Sequence, residues 1–176
     1  SFTVDSTAPT ADVSPTGDGV AINATMIVEF SEAMNATATT MTVSGVTGTT
    51  SWDGNVLTFV PSSLAYNGHY TVNVTGKDLA GNDIELSWTF NTTEVGKING
   101  ILVDDDGNVM TNVTVSLSNG ATAVTDGYGR FNFANVTVGS YMLTITLDGY
   151  DDLTMTVNAT TDATDDLGTL TLISTT

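Results

Sequence analysis

Asn67-Gly68-His69-Tyr70-Thr71-Val72-Asn73-Val74 opens a stretch that runs through Gly76-Lys77-Asp78-Leu79-Ala80-Gly81-Asn82 and closes on Leu86-Ser87-Trp88-Thr89-Phe90. Its two apolar segments alternate with a period of two, which places one face of each on a core and the other in water. Asn67-Gly68 and Ala80-Gly81-Asn82 are turn material, because Asn and Gly tolerate backbone conformations that other residues avoid. The stretch therefore reads as antiparallel strands in sequence, not as helix.

The same pattern recurs on both sides. Met26-Ile27-Val28-Glu29-Phe30 and Val56-Leu57-Thr58-Phe59-Val60 alternate in the same way, the second ending at Pro61. Thr16-Gly17-Asp18-Gly19 and Trp52-Asp53-Gly54-Asn55 read as turns, and Ser31 to Asn35 offers a single helical turn at best. Strands at this spacing predict an all-β sandwich or barrel. The aromatics Tyr66, Tyr70, Trp88 and Phe90 read as sandwich packing. Trp52, beside a turn, is a weaker candidate for a carbohydrate platform.

A second set of strands begins after Glu94 to Lys97. It reads as Gly100–Val103, Val113–Leu117, Ala121–Thr125, Gly129–Phe133, Tyr141–Leu147, Leu153–Val157 and Gly168–Ile173. Asn119-Gly120 between two of these is a strong hairpin signal. Phe131, Phe133 and Tyr141 read as core, and Ala159 to Asp166 as a polar loop. The expected organisation is an N-terminal strand and connector at 1–8, one sandwich at 9–94 and a second at 95–176. A length of 176 residues accommodates two modules of about 90 residues each.

Charge narrows the partners. Twenty acidic residues oppose Lys77, Lys97 and Arg130, for a formal net charge of -17. Nucleic acid and anionic membrane surfaces are disfavoured, since both need clustered Lys and Arg. The load divides into -9 for residues 1–94 and -8 for residues 95–176, ten acids in each half against one and two bases. The acidity belongs to the whole surface rather than to a tail. Cysteine is absent, which removes disulfides, thiolate metal sites and thiol nucleophiles. No apolar run approaches the length of a membrane-spanning helix. No charged-then-apolar leader opens the chain, so secretion would rest on a signal outside these residues.

Two family resemblances follow from these landmarks. Thr7-Ala8-Pro9-Thr10, Val28-Glu29-Phe30-Ser31-Glu32-Ala33-Met34-Asn35, the Leu64 to Val72 stretch, Gly76 to Asn82 and Trp88-Thr89-Phe90 stand in order. Together they resemble the bacterial and archaeal Ig-like domain of surface-layer and adhesion proteins, over residues about 8–92. Ile98-Asn99-Gly100, Asp106-Gly107-Asn108, Val113-Thr114-Val115, Thr125 to Phe131, Val138 to Thr144 and Asp148-Gly149-Tyr150 resemble the carboxypeptidase regulatory-like domain, a transthyretin-like sandwich, over about 96–173. Met110 to Asn112 departs from a stretch where that family often carries Pro. The resemblance implies an accessory domain without catalysis, so the fold class is all-β, an Ig-like and then a transthyretin-like sandwich in tandem.

Candidate sites are few. His69 is the single histidine and cannot build the usual zinc site without a second. No nucleophile elbow is present, and no enzyme activity or cofactor is expected. Calcium is the candidate metal, because short acidic loops can supply six to eight oxygen ligands. Asp104, Asp106 and Asn108 form the densest set. Asp148, Asp151 and Asp152 form a second, and Asp162, Asp165 and Asp166 a third. Asn-x-Thr sequons stand at Asn23, Asn35, Asn73, Asn91, Asn112, Asn135 and Asn158. They are seven of the fourteen asparagines, more than the Ser and Thr content alone would place, and they point to an extracellular glycoprotein.

Phe2-Thr3-Val4 reads as a short strand, either the end of a preceding domain or a donor to the sheet edge of a neighbour. The function expected is a structural subunit or module of an extracellular microbial surface filament, sheath or S-layer, with archaea as the candidate source. Its partners would be copies of itself or neighbouring surface-protein domains. The alternatives are an adhesin that binds protein or cell-wall glycan, and the accessory domains of a secreted hydrolase.

Overall fold

The computed structural model describes residues 5–175. Phe2, Thr3 and Val4 lie outside them. The chain divides into two compact units, residues 1–93 and 94–176, and strands alone form the regular elements among the described residues.

The first unit contains β1 (Ala11–Ser14), β2 (Gly17–Val20), β3 (Met26–Phe30), β4 (Thr40–Val43), β5 (Gly48–Asp53), β6 (Val56–Pro61), β7 (His69–Lys77) and β8 (Asp83–Thr92). They make two sheets, in the orders β1-β3-β6-β5 and β2-β8-β7-β4. The β7–β8 hairpin is the backbone of the second sheet, paired from His69 opposite Asn91 to Lys77 opposite Asp83. The period-two pattern is what buries Val72 and Val74 on β7, and Met26, Val28 and Phe30 on β3. These meet Leu57, Phe59, Met41, Val43, Ile84 and Phe90 in one core. Each such side chain taken fully from water contributes roughly 1.5–3 kcal/mol, set against the chain entropy lost. Tyr70 stacks on Phe90 and Trp52 on Phe30, with centroids 5.3 and 5.7 Å apart.

The second unit contains β9 (Val95–Asp104), β10 (Thr114–Leu117), β11 (Thr122–Val124), β12 (Arg130–Thr137), β13 (Gly139–Ile145), β14 (Leu153–Ala159) and β15 (Thr164–Leu172). A three-stranded sheet, β12-β9-β15, faces a four-stranded one, β11-β10-β13-β14. Ile98, Leu102, Phe131, Phe133 and Leu172 from the first pack against Val115, Leu117, Leu143, Ile145 and Val157 from the second. Asn119-Gly120 does turn the β10–β11 hairpin, with Gly120 at φ 89° and Asn119 accepting from the Ala121 N–H.

Several local expectations are corrected. Ser31 to Asn35 is not a helical turn: Met34 forms an isolated bridge with Asp78 and is pulled into the core. Gly17 to Gly19 belongs to β2, which pairs parallel to β8 through an irregular register. Glycines at φ 78° and 71° explain why the segment reads as a turn. Thr164 to Asp166 is strand rather than loop. β15 lies at the edge of its sheet, parallel to β9, so its polar residues can face water while its backbone pairs. Tyr66 is 38% exposed, because it precedes the turn that sets the inward register of β7. Trp52 packs on Phe30 and is half-buried, a core-edge position.

Candidate functional site

The first unit gathers three carboxylates that are far apart in sequence. Asp5, Glu32 and Asp78 each place an oxygen within 4.8 Å of the other two. Asp5 comes from the segment before Pro9, Glu32 from the bend after β3, and Asp78 from the β7–β8 turn. Asp78 is buried, and its charge is held by the turn it organises. One oxygen accepts from the Gly81 and Asn82 N–H groups at 2.6 and 2.8 Å, and the other from the Asn82 side-chain amide at 2.7 Å. Burial pushes its carboxyl up, yet those bonds outweigh it and keep it below the usual range. Glu32 has the opposite balance. Desolvation first, then the charges of Asp5 and Asp78, raise its carboxyl above the usual range.

This group is absent from the sequence-derived sites. Its members lie in quoted landmarks, Ser31-Glu32 and Asp78 to Asn82, but nothing in linear spacing shows that three distant loops converge. Chemically, three hard oxygens in such a span could hold a divalent cation.

The loop picked from sequence has a different local role. Asp104 Oδ1 accepts from the backbone N–H groups of Asp106 and Asn108 at 3.1 and 2.7 Å. Its Oδ2 takes the Asn108 amide at 3.0 Å. The Asn108 side chain and backbone are the main reasons its carboxyl lies low. Asp104 and Asn108 thus serve a hairpin turn, while Asp106 is exposed. Asp105 accepts from the Ser174 hydroxyl, which ties Ser174 to this turn. Asp148, Asp151 and Asp152 stand beside the turn between β13 and β14. Asp165 accepts from the Asn158 N–H at 3.2 Å, and Asp166 from the Gly168 N–H at 3.0 Å.

His69 is exposed, and its ring Nδ1 meets Asn91 Oδ1. Asn91 in turn donates to Asp18 at 2.6 Å. This chain of contacts fastens β7, β8 and β2 together.

The sequons fall into distinct settings. Asn23, Asn73, Asn112, Asn135 and Asn158 are exposed. Asn112 and Asn135 have φ of 59° and 53°, so they project from a turn and from the irregularity in β12. Asn158 accepts from Ser140 and Asn35 from Thr37. Asn91 is held in the His69–Asp18 network.

The bacterial Ig-like domain family matches residues 1–92, and the carboxypeptidase regulatory-like domain family matches residues 97–172. Among solved structures, the full-length major pilin SpaD from Corynebacterium diphtheriae is similar over 96% of this chain and 65% of its own, with a TM-score of 0.54 and 11% identity. The major pilin subunit BcpA of Bacillus cereus is similar over 95% of this chain and 71% of its own, at a TM-score of 0.50 and 13% identity. The Bacillus anthracis TIE protein is similar over 97% of this chain but only 41% of its own length, at a TM-score of 0.45 and 15% identity. At these identities the likeness is one of fold. No curated protein matches the chain. No helix among the described residues is long and apolar enough to cross a membrane.

Proposed function

We propose that this chain, which belongs to the bacterial Ig-like domain family and continues into a carboxypeptidase regulatory-like domain, is a structural module of an extracellular microbial surface assembly. A filament, sheath or S-layer is the expected form, and copies of itself are the principal partner. The observation that carries this reading is the tandem itself. Two sandwiches in one chain follow the fold of two major pilins over 95% and 96% of its length. The acidic surface and the exposed sequons suit an extracellular setting.

The finer assignments extend that reading. Phe2, Thr3 and Val4 act as an assembly strand that pairs with a neighbour's open sheet edge. Pairing of this head-to-tail kind makes a filament where its rotation does not close. Asn112 and Asn135 head the glycosylation candidates, followed by Asn23, Asn73 and Asn158, with Asn35 and Asn91 last. Divalent cations such as calcium relieve the crowding of charge, first at Asp5, Glu32 and Asp78 and then at the loop of Asp104, Asp106 and Asn108.

Sedimentation velocity of the purified chain tests the reading. It should show species larger than a monomer that grow with added salt or calcium and shrink with chelator. A monomer under every condition would overturn it. A chain beginning at Asp5 that still assembled would remove the donor-strand role alone.

A further inference from the structure

β5 is the last strand of its sheet and is paired on one side only, by β6. Which of its main-chain groups face outward follows from the register. Asp53 and Val56 close a two-residue turn at Gly54-Asn55, so they form a hydrogen-bonded pair. The Ser62 N–H donates to the Thr47 carbonyl at 2.8 Å, and Pro61, which has no N–H, stands opposite Gly48. Thr47, Thr49, Ser51 and Asp53 therefore turn their bonding groups to β6. The N–H and C=O groups of Gly48, Thr50 and Trp52 point the other way, where the sheet ends. A row of open donors and acceptors is a template for another strand.

Edge strands are commonly guarded by charge, proline, irregular register or short length. Among the described residues, the other edges carry such guards. β1 has Asp12 and runs into Pro15, β2 and β15 have irregular registers, and β12 carries Arg130 with an irregularity of its own. β4 and β11 have only four and three residues, too few to hold a second strand alone. On β14 the Asn158 N–H is covered by the Asp165 carboxylate. β5 has none of these guards from Gly48 to Trp52, which is uncharged, in unbroken register and largely exposed.

The residues along this edge select the partner. A chain of net charge -17 repels its own copies wherever carboxylates are opposed. Antiparallel pairing of β5 with itself can be centred on Thr50, because that residue turns its bonding groups outward. Thr50 then stands opposite Thr50 of the second copy, Thr49 opposite Ser51, and Trp52 opposite Gly48. Thr–Thr and Thr–Ser are favourable cross-strand pairs. Gly48 has no side chain, and the Phe59 ring lies where its Cβ would be. An aromatic neighbour such as Trp52 suits an edge glycine of this kind. Asp53 falls opposite Thr47, so no carboxylate meets another. At 3.4 Å per residue the two Asp53 residues are about 20 Å apart, well beyond the screening length of about 8 Å at physiological salt. We propose that β5 pairs antiparallel with β5 of a second copy, in the register that sets Thr50 against itself. A two-fold contact closes at two copies, so it is distinct from the head-to-tail pairing of Phe2, Thr3 and Val4 and independent of it.

Substitution at Thr50, which is exposed, tests this in the full chain. Thr50→Glu and Thr50→Lys each set like charges against one another across the two-fold. In sedimentation velocity at physiological salt, each should weaken self-association about tenfold or more, near 1.4 kcal/mol. An equimolar mixture of the two should recover it, which also shows that both variants fold. A partner strand of any other kind would not oppose both charges, nor be restored by mixing. The chain has no cysteine, so Thr50→Cys adds a single thiol. Cα atoms of a hydrogen-bonded antiparallel pair lie about 5.5 Å apart, within the range of a disulfide. In a glutathione redox buffer, Thr50→Cys should form disulfide-linked dimers well ahead of Thr122→Cys on the β11 edge. The proposal is overturned if the charge variants associate like the parent, if their mixture does not recover, or if Thr50→Cys links no faster than Thr122→Cys. Larger species that persist unchanged in both charge variants would overturn this pairing and leave the surface assembly standing. Linked dimers in a chain that never exceeds two copies would support this pairing and count against the assembly.

Discussion

At the residue scale, the carboxylates separate into two kinds. Asp126 is held below the usual range by the Arg130 and Tyr128 N–H groups and then by the Arg130 charge. A depressed folded-state value means that its stabilisation is present above the unfolded value and fades as pH falls through the folded one. Asp126→Ala should therefore lower the melting temperature at neutral pH. The gap to the parent should narrow as pH drops below the ordinary carboxylate value of 3.8. Thermal melts across that interval check this. Glu32 has the opposite sign. Its raised value means that ionisation is opposed in the fold, and stability is gained as pH falls through that value. Glu32→Gln should therefore raise the neutral-pH melting temperature in the absence of divalent metal, as calorimetry can show. It should also abolish any stabilisation that calcium confers through Asp5 and Asp78.

Glycine substitutions probe the backbone at the same scale. A Cβ at Gly96 would stand 2.2 Å from the Thr160 carbonyl oxygen, which side-chain adjustment cannot relieve. Gly96→Ala should lose about 2 kcal/mol or more in denaturant titration, as backbone shift or overpacking commonly costs 1–3 kcal/mol.

At the element scale, burial separates the two faces of each strand. Leu143 is fully buried on β13 between the sheets of its unit, so Leu143→Ala should cost about 2–5 kcal/mol. Met142, its neighbour, is 55% exposed, and Met142→Thr should stay within about 0.5 kcal/mol. Chemical denaturation of the two variants makes the comparison.

Legibility in the sequence follows the same division. β3, β6, β7 and β8 are readable because one face is apolar and the other polar. β1, β2, β4, β5 and the start of β15 are not. β5 is exposed over Gly48 to Ser51, and β2 is glycine-rich, so pairing rather than burial defines them. The aromatics of the core are legible for the same reason as the strands, whereas Tyr66 sits outside the register. The acidic group of Asp5, Glu32 and Asp78 and the row of Asn132, Asn99 and Asp166 are products of topology. Cross-strand neighbours from β12, β9 and β15 lie 29 or more positions apart in sequence, and no local spacing rule connects them. Asp104, by contrast, is visible in sequence as an acidic loop, but the turn hydrogen bonds that occupy it are not.

At the scale of the whole molecule, the charge of -17 governs what assembly requires. Like-charged copies repel unless ions screen or bridge them, and screening is already substantial near physiological salt, where the Debye length is about 8 Å. Assembly should therefore strengthen with salt and weaken with chelation. Intact mass measurement of native material should show glycan on the exposed sequons, with Asn112 and Asn135 occupied before Asn91. An unmodified mass would remove glycosylation from the account without touching the fold.

The central claim is that the two sandwiches are building material for a surface structure. Immunogold electron microscopy of material from the producing cells, with antibody raised against this chain, tests it most directly. Regular labelling along filaments, a sheath or a lattice is the expected result. Label confined to dispersed single particles, with no ordered structure carrying it, would contradict it.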